Sequence, residues 1–558
     1  MALHKPSQRY LSTRGGSYDL SFEEVVLKGL ASDGGLFIPE EVPSLPPNWE
    51  TRWRDHTFQD LAYEIFSLYI SPSEIPPADL KAIITRSYST FRVPDIAPIV
   101  TLDASKNLNL LELFHGPTFA FKDVALQFLG NLFEYFLVRR NEGKAGSNRE
   151  HLTVIGATSG DTGSAAIYGL RGKEDVSVFI MHPKGKVSPV QEAQMTTVLD
   201  ANVHNIAVDG VFDDCQDFVK ALFADEETNK KFKLAAVNSI NWARILAQIT
   251  YYFSAYFHIL RSNPSSASPQ IVFSVPTGNF GDILAGYFAH RMGLPIERLT
   301  IATNANDILH RFFLTGAYTK KPASSNDAEA QNGFKEDGAE AHPDGAKETL
   351  SPAMDILVSS NFERLLWYLA YRVLPADDAS VKERREVAGR KVKEWLGELK
   401  TKGGFKVEEQ VLGAAKETFG SERVDDNQTI EVIKEVFRSG EARSDVQQGP
   451  TRGTRVGGRY VLDPHSAVGI AAAVRGFGSL DEKAQKQIHH IALATAHPAK
   501  FSSAVELALQ NEPDFRFEDV LPQEFVGLEQ RQKRMVTLKP GETLDGLRHV
   551  ITQEIEAE

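Results

Sequence analysis

The sequence predicts an α/β fold of parallel sheets covered by helices, preceded by a mostly helical N-terminal unit. Three observations carry this. From about residue 99 onward, short β-rich runs alternate with longer helical stretches, the rhythm of βαβ units. Several runs, such as VSVFIM (176–181), are apolar without interruption, as strands buried on both faces are. Residues 1–98 lack that alternation: helical periodicity begins at Phe22 and stops at Gly34 and Gly35.

The elements follow in order. The proline-bearing stretch from Ile38 to Pro47 is extended or looped. Strands are predicted at 152–157, 176–181, 202–208, 271–276, 299–304 and 491–496. Helices are predicted at 123–140, 161–171, 187–199, 215–224, 242–262 and 282–292. Two segments, 319–350 and 439–458, are rich in small and charged residues with almost no large apolar side chain. They read as flexible insertions.

With 558 residues, 42% hydrophobic and 24% charged, the chain is a soluble globular protein of two or three domains. A net charge of -13 argues against nucleic acid as a partner, because phosphate backbones need a basic face. The apolar runs are too short to cross a bilayer, and the N-terminus lacks the apolar core of a secretory signal. The single cysteine, Cys215, excludes an intrachain disulfide or CxxC site. A cytoplasmic enzyme is the simplest reading. The histidines, including His115, His465, His489, His490 and His497, show no metal-ligand spacing, so no metal is expected.

Five segments carry chemistry. In LELFHGPTFAFKDVALQF, Lys122 opens a long apolar helix between Phe121 and Asp123. Desolvation there favours the neutral amine, which a Schiff-base lysine needs. Taken alone, the segment fits a helix-start lysine reaching solvent somewhat better. In VIGATSGDTGSAAIYG, a strand runs into a small, hydroxyl-rich loop and then a helix, an arrangement that offers N–H groups to an anion. Simple capping is the bland alternative. IVFSVPTGNFGDILAG repeats that design with Gly278 and Gly281. VNSINWARILAQ gathers Asn238, Ser239, Asn241 and Arg244 at a helix start, which reads either as caps plus a surface arginine or as a fork for a phosphate or carboxylate. HHIALATAHPAKF ends a buried strand on Thr495, which taken alone reads as an ordinary β-branched strand residue, although open α/β sheets meet ligands at such ends. Two anion loops and one apolar-flanked lysine in one chain suit a phosphorylated cofactor and an anionic substrate. No Walker lysine, GxGxxG or GxSxG is present.

Together these segments resemble the threonine synthase family, in its longer-chain, yeast-like class. The likeness runs through YLSTRGG (10–16), LASDGGLF (30–37), FHGPTFAFKD (114–123), ATSGDTG (157–163), NSIN (238–241), PTGNFGD (276–282), DPHSAVG (463–469) and ATAHP (494–498). It implies a fold-type II pyridoxal 5′-phosphate enzyme, related to the tryptophan synthase β subunit. Two lobes of parallel or mixed sheet would be covered by helices, with an N-terminal domain at 1–98 and a catalytic core at 99–558 whose smaller lobe is near 145–240. The implied reaction converts O-phospho-L-homoserine and water into L-threonine and phosphate, as a carbon–oxygen lyase in threonine biosynthesis. Lys122 would hold the cofactor. Gly278, Asn279, Phe280, Gly281 and Asp282 would take its phosphate, and Thr495 would meet its pyridine nitrogen. The loop Thr158, Ser159, Gly160, Asp161 and Thr162 would hold the substrate carboxylate. Arg244, Asn238 and Ser239 are candidates for the substrate phosphate, with Thr13 and Arg14 behind them. Many fold-type II enzymes have Asn where Asp161 stands, near the cofactor's phenolic oxygen. An ionised Asp would repel a phenolate, so that contact is not assigned. The resemblance leaves open a monomer or homodimer. Rivals are a related phospho-lyase giving 2-oxobutyrate, a non-catalytic ligand-binding relative, and a nucleotide-binding protein.

Overall fold

The computed structural model describes residues 8–263, 269–320, 345–440, 443–444, 454–479, 481–538 and 541–558. Two sheets organise the chain. The larger is mixed, in the order Phe419–Arg423, Ile296–Thr303, Gln270–Pro276, Ile488–Ala494, Leu108–Glu112, Ile99–Asp103, Arg443–Ser444. Its first five strands are mutually parallel and its last two pairings are antiparallel. The smaller sheet is parallel throughout: Val536–Leu538, Val203–Val208, Val176–Pro183, Leu152–Ala157, Leu234–Ala235. Val176–Pro183 is buried at every residue, which its unbroken apolar run requires.

Helix Lys122–Arg140 packs against both halves. Residues 123–133 are buried without a break, because Trp242–Ser262, Pro77–Tyr88 and Asp161–Leu170 pack on its different sides. A helix apolar all round must sit this way. Its crossing with Asp161–Leu170 is backbone on backbone. A Cβ on Gly130 would lie 1.9 Å from Gly169 O, and one on Gly169 would lie 2.4 Å from Leu126 O.

The N-terminal unit is helical, as expected, with helices Phe22–Lys28, Phe58–Tyr69 and Pro77–Tyr88. Ser21 and Glu24 close the first in a capping box. It also holds an antiparallel strand pair, Tyr10–Ser12 with Phe37–Pro39. Its apolar faces have no core of their own. They join the central one, Phe66 against Phe128 and Tyr69 against Trp242.

Most of the two segments expected to be flexible lies outside the described residues. Their described margins are built into the fold. Ala317–Thr319 pairs with Gly404–Lys406, and Arg455–Val456 pairs with Arg459–Tyr460. Asn304 Nδ2 donates to Thr349 Oγ1 (2.8 Å) and Asp355 Oδ1 (2.8 Å). Cys215 is a buried apolar residue whose thiol burial pushes up to about 12. No described helix is long and apolar enough to cross a membrane.

Candidate active site

Three neighbouring parallel strands, Leu108–Glu112, Ile488–Ala494 and Gln270–Pro276, aim their C-terminal ends at one place. The chain beyond each supplies a predicted site residue: Lys122, Thr495 and the loop Pro276–Asp282. The small sheet's loop after Leu152–Ala157 faces the same space. All of these line one cavity of about 1810 Å³. Ligands in open α/β sheets sit at such carboxyl edges.

Backbone bonds tie the lysine to the threonine. Phe121 N donates to Thr495 O (2.8 Å), His497 N to Phe119 O (3.1 Å) and Leu113 N to Ala494 O (3.0 Å). Phe119, whose carbonyl takes one of these bonds, is left-handed at φ 60, a costly conformation for a bulky residue. Gly116 is needed in the same turn, since a Cβ there would lie 2.4 Å from Asp123 Cβ. Asp123 steadies the turn by accepting from Thr118 N and Oγ1, both at 2.8 Å.

Lys122 Nζ makes no hydrogen bond among the described residues. Burial pulls its pKa down to about 8; Lys500 and Arg244 push the same way, while Asp161 and Asp123 oppose. The amine is therefore far easier to deprotonate than a surface lysine. Thr495 stands one residue past the strand, not at its end as expected. Its N–H donates to Ser466 Oγ (3.2 Å) and its carbonyl is taken by Phe121, which leaves its hydroxyl for a ligand.

The loop Pro276–Asp282 is braced by residues the sequence did not single out. Ser359 Oγ donates to Gly278 O (2.6 Å), Ser360 Oγ to Asn279 Oδ1 (3.2 Å) and Asn361 Nδ2 to Asn279 O (3.0 Å). Phe280 caps the helix Gly281–Met292 in the left-handed region at φ 63. The first N–H groups of that helix have no acceptor within it and open on the cavity. The Asp282 carboxylate faces elsewhere. It accepts from Tyr251 and Tyr252 hydroxyls, and burial pushes it up to about 7, so its backbone N–H is its offering to an anion.

The loop of residues 158–162 is narrower in its capacity than expected. Thr158 Oγ1 accepts from Gly160 N (3.0 Å) and Gly163 N (2.9 Å), and Thr158 N donates to Met181 O (2.9 Å). Thr158 and Gly160 thus shape the loop and have no donor left for a substrate carboxylate. Ser159 and Thr162 keep theirs and line the cavity.

Asp161 has a partner that sequence reasoning missed. Lys500 Nζ lies 2.7 Å from Asp161 Oδ1, with both side chains buried. Gln191 Nε2 donates to the same oxygen (2.8 Å), and Lys500 also donates to Thr118 O (2.8 Å). Despite burial, Lys500 and Lys122 hold the Asp161 carboxyl well below the ordinary range. The Asp161–Lys500 pair is neutral, which removes the repulsion expected of a lone aspartate. The available signal was Lys500 itself, a lysine among the small and aromatic residues that follow Thr495.

Arg244 is buried in the first turn of Trp242–Ser262. Nη1 donates to Val237 O (3.0 Å) and Nε has no partner. Burial lowers it to about 10, and no carboxylate among the described residues pairs with it. A buried guanidinium without a counter-ion calls for an anionic ligand. Asn238 and Ser239 line the same cavity; Asn241 instead caps its helix through Ala243 N (3.1 Å). Thr13 and Arg14 are set aside. Both bind Glu363, at 2.6 Å from Thr13 Oγ1 and at 3.0 and 2.8 Å from Arg14, and neither lines the cavity.

The family comparisons agree with this geometry. Family profiles match for the threonine synthase N terminus over residues 9–88, for pyridoxal-phosphate dependent enzymes over 97–352, and for the threonine synthase C-terminal region over 466–551. The threonine synthase of Schizosaccharomyces pombe is 52% identical over 98% of each chain. The chain belongs to the threonine synthase family. The crystal structure of the threonine synthase from yeast superimposes with a TM-score of 0.86 at 47% identity, covering 99% of both chains. The pyridoxal phosphate-bound threonine synthase from Brucella melitensis matches at 0.79 and 38%, covering 98% of this chain and 99% of that one. The fold is thus the fold-type II architecture of this family, with its two sheets as lobes.

Proposed function

We propose that this chain is a pyridoxal 5′-phosphate-dependent lyase that converts O-phospho-L-homoserine and water into L-threonine and phosphate. The observation that carries the reading is the convergence of Lys122, the Arg244 guanidinium with its unbonded Nε, and two N–H-bearing loops on one cavity, in a chain of this family. The donor set fits a phosphorylated aldehyde: a depressed amine for the aldehyde, a helix N-terminus for the phosphate, and a free hydroxyl at Thr495 for a ring nitrogen.

When bound, the cofactor supplies an aldehyde for amines and a ring that takes up electrons from the substrate's Cα. The chain's residues do the rest. Lys122 Nζ would hold the cofactor through its aldehyde. With a pKa of about 8 it is about half neutral at pH 8, and once free the same nitrogen takes the Cα proton and returns it later. Backbone N–H groups of Gly278, Asn279, Phe280, Gly281 and Asp282 hold the cofactor phosphate. Ser159 and Thr162 orient the substrate carboxylate. Arg244, with Asn238 and Ser239, holds the phosphate that leaves. Asp161 and Lys500 act together as a positioning pair beneath Lys122.

The single cysteine fits the reducing cytoplasm, where we place the enzyme as a monomer or homodimer acting on a small molecule. The test is a visible-edge absorbance spectrum of the purified protein, then phosphohomoserine addition with threonine and 2-oxobutyrate both quantified. Threonine as product supports the proposal, and 2-oxobutyrate alone moves the chain to the phospho-lyase reading. Lys122→Ala must lose both the absorbance and turnover; persistence of both overturns the assignment.

A further inference from the structure

A second cavity, of about 640 Å³, shares no lining residue with the first, yet Pro117 and Phe119 of the turn before Lys122 form part of its wall. Five cations line it, Arg86, Arg92, Arg171, Lys173 and Arg531, against a single carboxylate, Glu524. Three of them have acidic partners: Arg92 with Glu524 (2.7 Å), Arg171 with Asp200 (2.6 Å) and Lys173 with Glu134 (3.0 Å). Arg86 and Arg531 make no ion pair among the described residues. Among the described residues the only side-chain bond of Arg86 is a long one, 3.5 Å from Nε to Asn131 Oδ1. Two uncompensated guanidiniums in one concavity oppose the sign of the whole chain, which carries -13. Ser89 and Thr90 add hydroxyls to the wall.

We propose that this cavity binds a small phosphate-bearing anion, with Arg86 and Arg531 as its counter-charges. Two planar forks match a phosphate dianion in charge and geometry. The volume exceeds that of orthophosphate alone, so an organic phosphate also fits. The cavity is joined to the catalytic turn through Arg92, which donates to Gly116 O and to Pro117 O (3.1 Å) and stacks on Phe119 at 3.7 Å. An anion that draws Arg92 toward itself pulls on the turn that positions Lys122, so occupancy changes turnover.

The test uses the holoenzyme and isothermal titration with orthophosphate, pyrophosphate and glycerol 3-phosphate. The double variant Arg86→Gln/Arg531→Gln is compared with Arg52→Gln/Arg390→Gln, which removes the same charge from exposed positions elsewhere. The expected result is one binding site per chain beyond the active site, weakened about tenfold or more only in the first variant, the weight of a charge-assisted hydrogen bond. Tighter binding of glycerol 3-phosphate than of orthophosphate identifies an organic phosphate, and the reverse order identifies the inorganic ion. Equal affinities in wild type and both variants, or equal losses in the two variants, overturn the proposal. Both replaced arginines are exposed, so the variants fold.

Discussion

Replacing Lys500 by methionine leaves the Asp161 carboxylate buried without its counter-charge. The pair is 2.7 Å apart with neither side chain more than 4% exposed. Breaking such a buried pair from one side costs about 3–5 kcal/mol, because the remaining charge stays desolvated. The bond to Thr118 O is lost as well. The pH dependence identifies the cause. In the native protein the Asp161 carboxyl is depressed, so it contributes stability above the ordinary carboxylate range, and that contribution is lost only as pH falls through the depressed value. Without Lys500 the carboxyl rises and takes up a proton more readily. The deficit of Lys500→Met is therefore large at pH 8 and shrinks toward pH 5. Adding Asp161→Asn to Lys500→Met removes the stranded charge and recovers much of the loss. Urea unfolding of the apoprotein, followed by tryptophan fluorescence at both pH values, measures this. A deficit equal at pH 5 and pH 8, or no recovery in the double variant, refutes the argument that Lys500 is there to balance Asp161.

Other predictions concern the lysine, the helix crossing and the rejected phosphate ligands. Capture of pyridoxal phosphate by the apoprotein requires the neutral Lys122 amine, so its rate rises with pH through about 8 and then levels; a rate flat from pH 6 to 9 refutes the depressed pKa. Gly130→Ala forces a Cβ to 1.9 Å from a backbone oxygen and is expected to destabilise by about 3 kcal/mol, read as a drop in urea midpoint; an unchanged midpoint contradicts the crossing geometry. Thr13→Val costs about 1–3 kcal/mol by weakening the hold on buried Glu363, yet leaves the KM for phosphohomoserine within about twofold. A large rise in KM at unchanged stability would return Thr13 to the substrate site.

The legible parts of this fold are those where local pattern and burial agree. The strand at 152–157 and the helix starting beside Lys122 fall where apolar runs meet small-residue loops. The strand read at 491–496 lies at Ile488–Ala494 because His489 and His490 look like a polar flank. Yet His490 is buried and pairs with Leu108. The site's lysine, both anion loops and Arg244 were recognisable because each sits at the start of a helix with distinctive neighbours. Partnerships made across the fold were not. Nothing in the residues around Asp161 announces Lys500, and nothing around Thr13 or Arg14 announces Glu363, which takes their donors. Short strands such as Phe419–Arg423 and Val536–Leu538 are defined by the neighbours they dock on.

The order of strands in the large sheet bears on how the protein is made. Its middle strand, Ile488–Ala494, reaches its neighbour Leu108–Glu112 only after roughly 380 further residues have been synthesised, and the small sheet waits for Val536–Leu538 at its edge. At about 5–20 residues per second that interval is roughly 20–75 s. Once Gln270–Pro276 has also been made, and until residue 488 follows, a nascent chain on the ribosome carries two apolar strands with a gap between them, an open invitation to wrong pairing. A chain stalled before residue 488 can have neither a closed sheet nor Thr495 beside its lysine.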